Sequence, residues 1–202
     1  MKAFAIGIVF FAAVVAFAGD VEEGDAAILK GDYVSALKKY LIAAEKGDAK
    51  AQNQVGNIYF TGSEKIPKNY REAIRWYKLS VDQGNADSQT ALGFMHQEGI
   101  GVLQDYVEAA RLYKLAAAQG HGTAQSSLGF MYWEGNGVPH DLVRAHMWMN
   151  LSAANSDNFG LRAFEVTKNF RESIAKALTP KQISQAQMMA RQCQSRSFKN
   201  CD

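Results

Sequence analysis

This chain has few of the residues and patterns that signal a chemical reaction. Its 202 residues include two cysteines, Cys193 and Cys201, both close to the C-terminus. No cysteine framework runs through the body of the chain, and no Cys/His cluster has zinc-site spacing. Four histidines occur, His96, His121, His140 and His146, without an H-E-x-x-H. The step from His140 to His146 suits one helix face poorly for ligation, so all four read as structural or surface residues. There is no G-x-S-x-G and no phosphate-cradling glycine loop. Charge of one sign is also missing. The net charge is +2, and no Lys/Arg run reaches the length of a basic arm, which argues against nucleic acid as a partner. The expectation is a binding protein, not an enzyme, with no catalytic residue, cofactor or metal to nominate. An apolar fraction of 48% argues against disorder.

The start of the chain reads as a leader. Met1-Lys2 is followed by 15 apolar or small residues, Ala3 to Phe17, and Ala16-Phe17-Ala18 offers small residues at the two positions a signal peptidase reads. The run is short for a spanning helix, which needs roughly 20 apolar residues. Cleavage is expected after Ala18; the competing reading is an uncleaved anchor. No cysteine follows the cleavage point, so lipid attachment there is not expected. Export to a periplasm or beyond would put Cys193 and Cys201 where disulfides persist. A bridge between them would close a loop of about nine residues and add roughly 2–3 kcal/mol in the chain-entropy model. Seven intervening residues fit a staple better than a redox pair, which usually reads C-x-x-C.

What the chain has in abundance is itself. Tyr70 to Asp105 and Tyr106 to Asp141 align without gaps, with 19 of 36 positions identical. An earlier copy starts at Tyr33 and a diverged one at Leu142. A period of this length means an array of units that bury their apolar faces only by stacking. Each unit reads as two antiparallel helices. Helix A opens after an Asx residue (Asp32, Asn69, Asp105, Asp141), with Glu72 and Glu108 placed to complete capping boxes in the two central copies. Ser35 and Arg144 at that position predict weaker caps in the outer copies. Helix A then runs to Gly47, Gly84 or Gly120, each suited to a left-handed helix stop. Helix B follows over Ala49–Phe60, Ala86–Gln97 and Gly122–Trp133. It carries a mid-helix glycine at Gly56, Gly93 and Gly129, a choice that costs about 1 kcal/mol relative to Ala. That column is expected to face the small column Ala36, Ala73, Ala109 and Ala145 at a close helix approach.

In the third copy the pattern is carried by Ala109, Tyr113, Ala116, Ala117, Gly120, Ala124, Gln125, Leu128, Gly129, Met131, Tyr132, Gly135, Gly137, Val138 and Asp141. The second copy matches it with His96 in place of Tyr, and the first departs at Ser63-Glu64-Lys65-Ile66-Pro67. These residues resemble the Sel-1-like repeat family, a relative of tetratricopeptide repeats, over roughly Gly31 to Ala154. The resemblance implies an all-α fold, a right-handed α/α superhelical solenoid of helix-turn-helix repeats. The expected organisation is a leader at 1–18, a capping segment at 19–32 with a short helix at Val21–Leu29, and repeats over 33–154. The units are 33–69, 70–105, 106–141 and a partial 142–157. Two capping helices complete 158–202: Phe159–Leu178, and Pro180–Gln192 opened by Thr179-Pro180-Lys181-Gln182.

Positions that match between copies read mostly as scaffold, so binding is expected on exposed positions of the helices that line the concave side. Related solenoids line their concave side with helix A. Spacing of i, i+4, i+7 groups Arg71, Arg75 and Lys78, with Val34, Lys38, Leu41 and Val107, Arg111, Lys114 as equivalents. Stacked copies would align Lys38, Arg75, Arg111 and then Lys78, Lys114 into a positive stripe for an acidic peptide or protein; the alternative is an ordinary solvated face. Trp76 and Trp148 share a helix-A phase and read as core, while Trp133 ends a B helix and is a candidate anchor. The leading function is an exported scaffold for protein or peptide, adaptor or regulatory in role, monomeric and without a stable membrane anchor. The alternatives are a cell-wall or β-lactam hydrolase, an activity attributed to cysteine-rich relatives, and a chaperone-like accessory to an envelope enzyme.

Overall fold

The computed structural model describes residues 19–155, 161–199 and 201. The expected leader and its cleavage point lie outside the described residues. Among them every regular element is a helix, and no helix is long and apolar enough to cross a membrane. The elements are α1 (19–29), α2 (Tyr33–Glu45), α3 (Ala49–Thr61), α4 (Tyr70–Asp82), α5 (Ala86–Glu98), α6 (Tyr106–Ala117), α7 (Gly122–Glu134), α8 (Leu142–Ala154), α9 (Leu161–Lys176) and α10 (Pro180–Ser195). This is the helix-turn-helix α/α class that the period predicts. Boundaries differ from the expected ones by one to three residues. Two compact units divide the chain between Ser88 and Gln89, inside α5.

In the first unit α3 packs against both α2 and α4. Its core is built from Ala36, Tyr40, Ala43, Ala51, Val55, Ile58 and Trp76, with Val21 of α1 and Ile66 of the α3–α4 loop closing over it. Asp32 and Asn69 cap α2 and α4 as expected, each side chain accepting from the amide three residues on at 3.1 Å. The reciprocal half of the capping box is absent. The amide of Asn69 already donates to the carbonyl of Tyr59 in α3 at 2.8 Å, so Glu72 is left to accept from Arg75 at 3.1 Å. Asp48 and Asn85 cap α3 and α5 in the same way, at 2.7 and 2.8 Å.

What lies nearest the glycine column here is a tyrosine ring. A β-carbon on Gly56 would lie 2.5 Å from the ring of Tyr77, and one on Gly24 in α1 would lie 2.5 Å from Tyr40. Each phenol then donates to a neighbour of its glycine, Tyr77 to Asn57 at 2.8 Å and Tyr40 to Asp25 at 2.6 Å. Burial holds both phenols far above their ordinary range. Gln52 binds the carbonyl of Ala44 and accepts from Gln83 at 2.8 Å, so one buried side chain ties the ends of α2 and α4.

In the second unit α7 packs against α6 and α8, and α8 also packs against α9 and α10. The same devices recur. Gly93 approaches Tyr113, where a β-carbon would lie 3.0 Å from the ring. Tyr113 donates to Gln97 at 3.1 Å. Gln125, fully buried, binds the carbonyl of Ala117 and accepts from Asn155 at 2.9 Å. At Gly129 the filler is Met149, and the carbonyl of Ala145 lies 3.2 Å away, so the expected alanine turn borders the glycine. Asp105 and Asp141 cap α6 and α8 at 2.9 Å. Their own amides go to the carbonyls of His96 and Tyr132. The outer caps are thus as short as the central ones, and Arg144 adds a 2.6 Å bond to Asp141. His121 caps α7, accepting through Nδ1 from the amide of Ala124. Gly47, Gly84 and Gly120 all end their helices with positive φ, at 101°, 82° and 80°.

Thr179 and Gln182 form the one complete capping box described, opening α10 with Pro180 at its start. Cys193 and Cys201 are joined as a disulfide across a Cα–Cα distance of 5.0 Å. The loop between them carries Ser197 and Phe198 in left-handed conformation, at φ 51° and 62°, and sets the Phe198 ring against Gly120.

Candidate functional site

The outward faces of α2, α4 and α6 carry the predicted binding residues. In the first unit Lys38, Arg71, Arg75 and Lys78 are exposed. Arg75 is not a free cation. Its Nε donates to Glu72, and its guanidinium lies 4.3 Å from the centroid of the Trp76 ring. Lys38, Arg71 and Lys78 make no ion pair among the described residues. Val34 is 48% exposed beside them. Leu41 leans on the core instead.

In the second unit Arg111 is paired with Glu108 through two bonds of 2.7 Å. Those bonds hold the Glu108 carboxyl below the ordinary carboxylate range and push the guanidinium up. Lys114 is half-buried, its ammonium 5.9 Å from the centroid of the Tyr132 ring, and Arg144 approaches the same ring at 5.9 Å. The residues read as a basic stripe are therefore of two kinds. Arg75 and Arg111 are neutralised by the glutamates expected to complete the helix caps, while Lys38, Arg71 and Lys78 stand clear. Sequence reasoning missed Glu72 and Glu108 as charge partners, although their i, i+3 spacing to arginine is the signal for such a pair.

Trp76 and Trp148 are buried, as core aromatics at helical spacing. Trp133 is 42% exposed at the end of α7. Its ring stands edge-on to Phe170 of α9 at 4.9 Å, and Phe170 lies 4.1 Å from Phe130. Part of its surface is thus spent on α9, and the rest faces solvent.

One concavity lay outside the sequence expectations. In the first unit a surface groove of about 500 Å³ is lined by Lys30, Asp32, Tyr33, Ser63, Glu64 and Lys65 among others. It opens where the α3–α4 loop departs from the repeat pattern, between that loop and the start of α2. Its charges are of both signs. Among the described residues no group of three or more His, Cys, Asp or Glu is placed to hold a metal. His146 is buried in α8, within 3.0 Å of the Asn150 amide, and burial pushes its pKa below the ordinary histidine value, aided by the charge of Arg171.

Paired helices that spend their recurring residues on contacts with the next pair define a helical repeat protein. The model of the Sel1 repeat matches residues 49–85, 86–121 and 122–157, more than half of the sequence, and the chain belongs to that family. Those units join each B helix to the following A helix, so they begin one helix later than units counted from Tyr33. A solved Sel1 repeat protein from Oxalobacter formigenes is 34% identical, with a TM-score of 0.64 over 71% of this chain and 58% of that one. Chitin synthase regulatory factor 3 of Schizosaccharomyces pombe is 43% identical over 67 residues, 33% of this chain and 7% of that protein. The ERAD-associated E3 ubiquitin-protein ligase component HRD3A of Arabidopsis thaliana is 31% identical over 58 residues, 29% of this chain and 9% of that protein. The chain matches only a small part of the length of either curated relative.

Proposed function

We propose that this chain is an exported scaffold that binds a protein or peptide on the outward faces of its A helices, with an adaptor or regulatory role and no catalysis of its own. The observation that carries the reading is where the recurring residues go. Gln52 and Gln125, Tyr77 and Tyr113, Gly56 and Gly93 are consumed in contacts between helices. The helix-A positions Val34, Arg71 and Val107, which differ between copies, and Lys38, Arg75 and Arg111, which stay cationic, are left on the surface. A recurring interior that leaves this face exposed suits recognition. The names of the relatives, a regulatory factor and a ligase component, support the same role. Export is supported by the leader pattern and by the Cys193–Cys201 disulfide. The scaffold is expected to act as a monomer in the periplasm or outside the cell, without a membrane anchor once the leader is removed.

The test uses the cations that stand clear. Mature protein and an Arg71→Glu/Lys78→Glu variant are immobilised and challenged with periplasmic extract, and retained proteins are identified by mass spectrometry. A protein held by the wild type and lost by the folded variant supports this surface. An unchanged set of retained proteins moves the site toward Trp133. Retention of nothing by the wild type overturns the scaffold reading.

A further inference from the structure

Some cations of the repeats, Arg75, Arg111 and Arg144 among them, are answered by an acid three residues back, while Lys38, Arg71 and Lys78 are not. The C-terminal segment is different. From Ser173 to Cys201 the chain contains no Asp or Glu, and it carries Lys176, Lys181, Arg191, Arg196 and Lys199. None of these five takes part in an ion pair among the described residues. By contrast Arg75, Arg111 and Arg144 each bind a carboxylate three residues back.

The placement of α10 turns this composition into a surface. Its inner side buries Ala186, Ala190 and Cys193. On the opposite side Lys181, Ser184, Met188, Arg191 and Ser195 recur at i, i+3, i+7, i+10 and i+14, which puts them on one helix face, and all are exposed. Lys181 and Arg191 lie about 15 Å apart along the axis at 1.5 Å per residue, with Met188, 47% exposed, between them. Arg196 and Lys199 extend the positive end, in the loop that the disulfide closes.

We propose that the outer face of α10 is a second docking surface, and that its occupant is an acidic segment of a partner protein. Such a segment sets carboxylates against Lys181 and Arg191 and an apolar side chain against Met188. The proposal rests on the scaffold reading above but uses a different face. Charge complementarity selects the occupant. A membrane-surface helix needs a broad apolar face, and Met188 is the single large hydrophobic of α10 that is exposed. A second copy of this chain is the competing source of acid, and self-association tests it. Single exposed charge pairs contribute little, so recognition depends on several cations meeting several carboxylates, which favours fast, salt-sensitive association.

The experiment is fluorescence anisotropy of a fluorescein-labelled helical peptide with glutamates at i, i+3, i+7 and i+10 around one leucine. The protein is the exported chain with its disulfide intact. The wild type is expected to bind, and added salt to weaken binding. Lys181→Glu with Arg191→Glu should weaken it about tenfold, with the circular dichroism spectrum unchanged. Arg71→Glu with Lys78→Glu should weaken it less than the α10 pair does. Failure of the wild type to bind, or equal binding by the α10 variant, overturns the proposal. So does binding to phosphatidylglycerol vesicles but not to the peptide, or self-association that the α10 variant abolishes without any peptide binding. Peptide lost only by the Arg71/Lys78 variant overturns this surface and leaves the scaffold reading standing.

Discussion

The ring of Tyr77 lies so close over Gly56 that a β-carbon there would sit 2.5 Å from it. The contact explains a glycine in mid-helix that propensity disfavours. Tyr77 also donates to Asn57, the next residue of α3, so ring and hydroxyl are held together. Gly56→Ala gains about 1 kcal/mol of helix propensity. It then loses more, because overpacking a filled site costs about 1–3 kcal/mol and a ring hydrogen-bonded at its tip cannot swing aside. The expected outcome is a net destabilisation of up to about 2 kcal/mol, or a fall of up to several degrees in melting temperature. Gly93→Ala meets Tyr113 at 3.0 Å and should cost less. Equal or higher melting temperatures for both variants would show that the rings are free to move.

Gln125 is fully buried and spans two helix ends, donating to the carbonyl of Ala117 and accepting from Asn155. Gln125→Leu keeps the volume and removes both bonds, while the Ala117 carbonyl still accepts from the amide of Gly120 at 3.0 Å and Asn155 is half-exposed. Each lost hydrogen bond contributes about 0.5–1.5 kcal/mol, so a loss of about 1–3 kcal/mol is expected in urea unfolding. Asn155→Ala removes one partner of the pair and should cost less than Gln125→Leu. If Gln125→Leu is neutral, the glutamine contributes volume rather than hydrogen bonds.

These two contacts mark how far the chain was legible before its structure. The period of the repeat, the Asx caps and the left-handed glycines are local features, and local spacing revealed them. The glycine column was legible as a close approach to helix A, but the rings of Tyr77 and Tyr113 that lie nearest it were not. The alanine and tyrosine columns recur with the same period, and only packing distinguishes them. The fate of Glu72 and Glu108 was not legible from a capping rule. It depends on the amides of Asn69 and Asp105 being taken by carbonyls of the preceding helix, which is tertiary information. The acid-free stretch from Ser173 to Cys201 was open to counting, but its signal is an absence of Asp and Glu, and a search for runs of Lys and Arg passes over it.

The disulfide closes a short loop whose ring contact lies elsewhere. Phe198 sits in left-handed backbone against Gly120, at the turn between α6 and α7. Left-handed φ in a residue with a side chain is held by its surroundings. Cys201→Ser should therefore lower stability by roughly 2–3 kcal/mol, the chain-entropy value for such a loop, and release Phe198 from the turn. Thiol titration of the natively exported protein should find neither cysteine reactive. Hydrogen exchange should speed up at Gly120 and His121 in the variant. An unchanged exchange rate there would mean that the loop holds its place without the bridge.

His146 gives α8 a pH dependence whose sign follows from its surroundings. The side chain is 4% exposed, its Nδ1 lies 3.0 Å from the Asn150 amide, and burial, with the charge of Arg171, lowers its pKa from 6.5. A histidine with a depressed folded pKa binds its proton more readily when the chain is unfolded. Its contribution to stability is therefore fully present above the unfolded pKa, near 6.5, and is lost as pH falls through the lower folded value. Melting temperature should fall as the solution is acidified from above 6.5 toward 5. His146→Gln retains an acceptor for Asn150 and should flatten that fall. Arg171→Ala removes one of the two causes of the shift, so it should reduce the dependence without abolishing it, because burial remains the larger cause. The comparison among the three proteins isolates His146 from His96, His121 and His140, which are present in all of them. If the wild type and His146→Gln lose stability in parallel on acidification, His146 is not the group responsible.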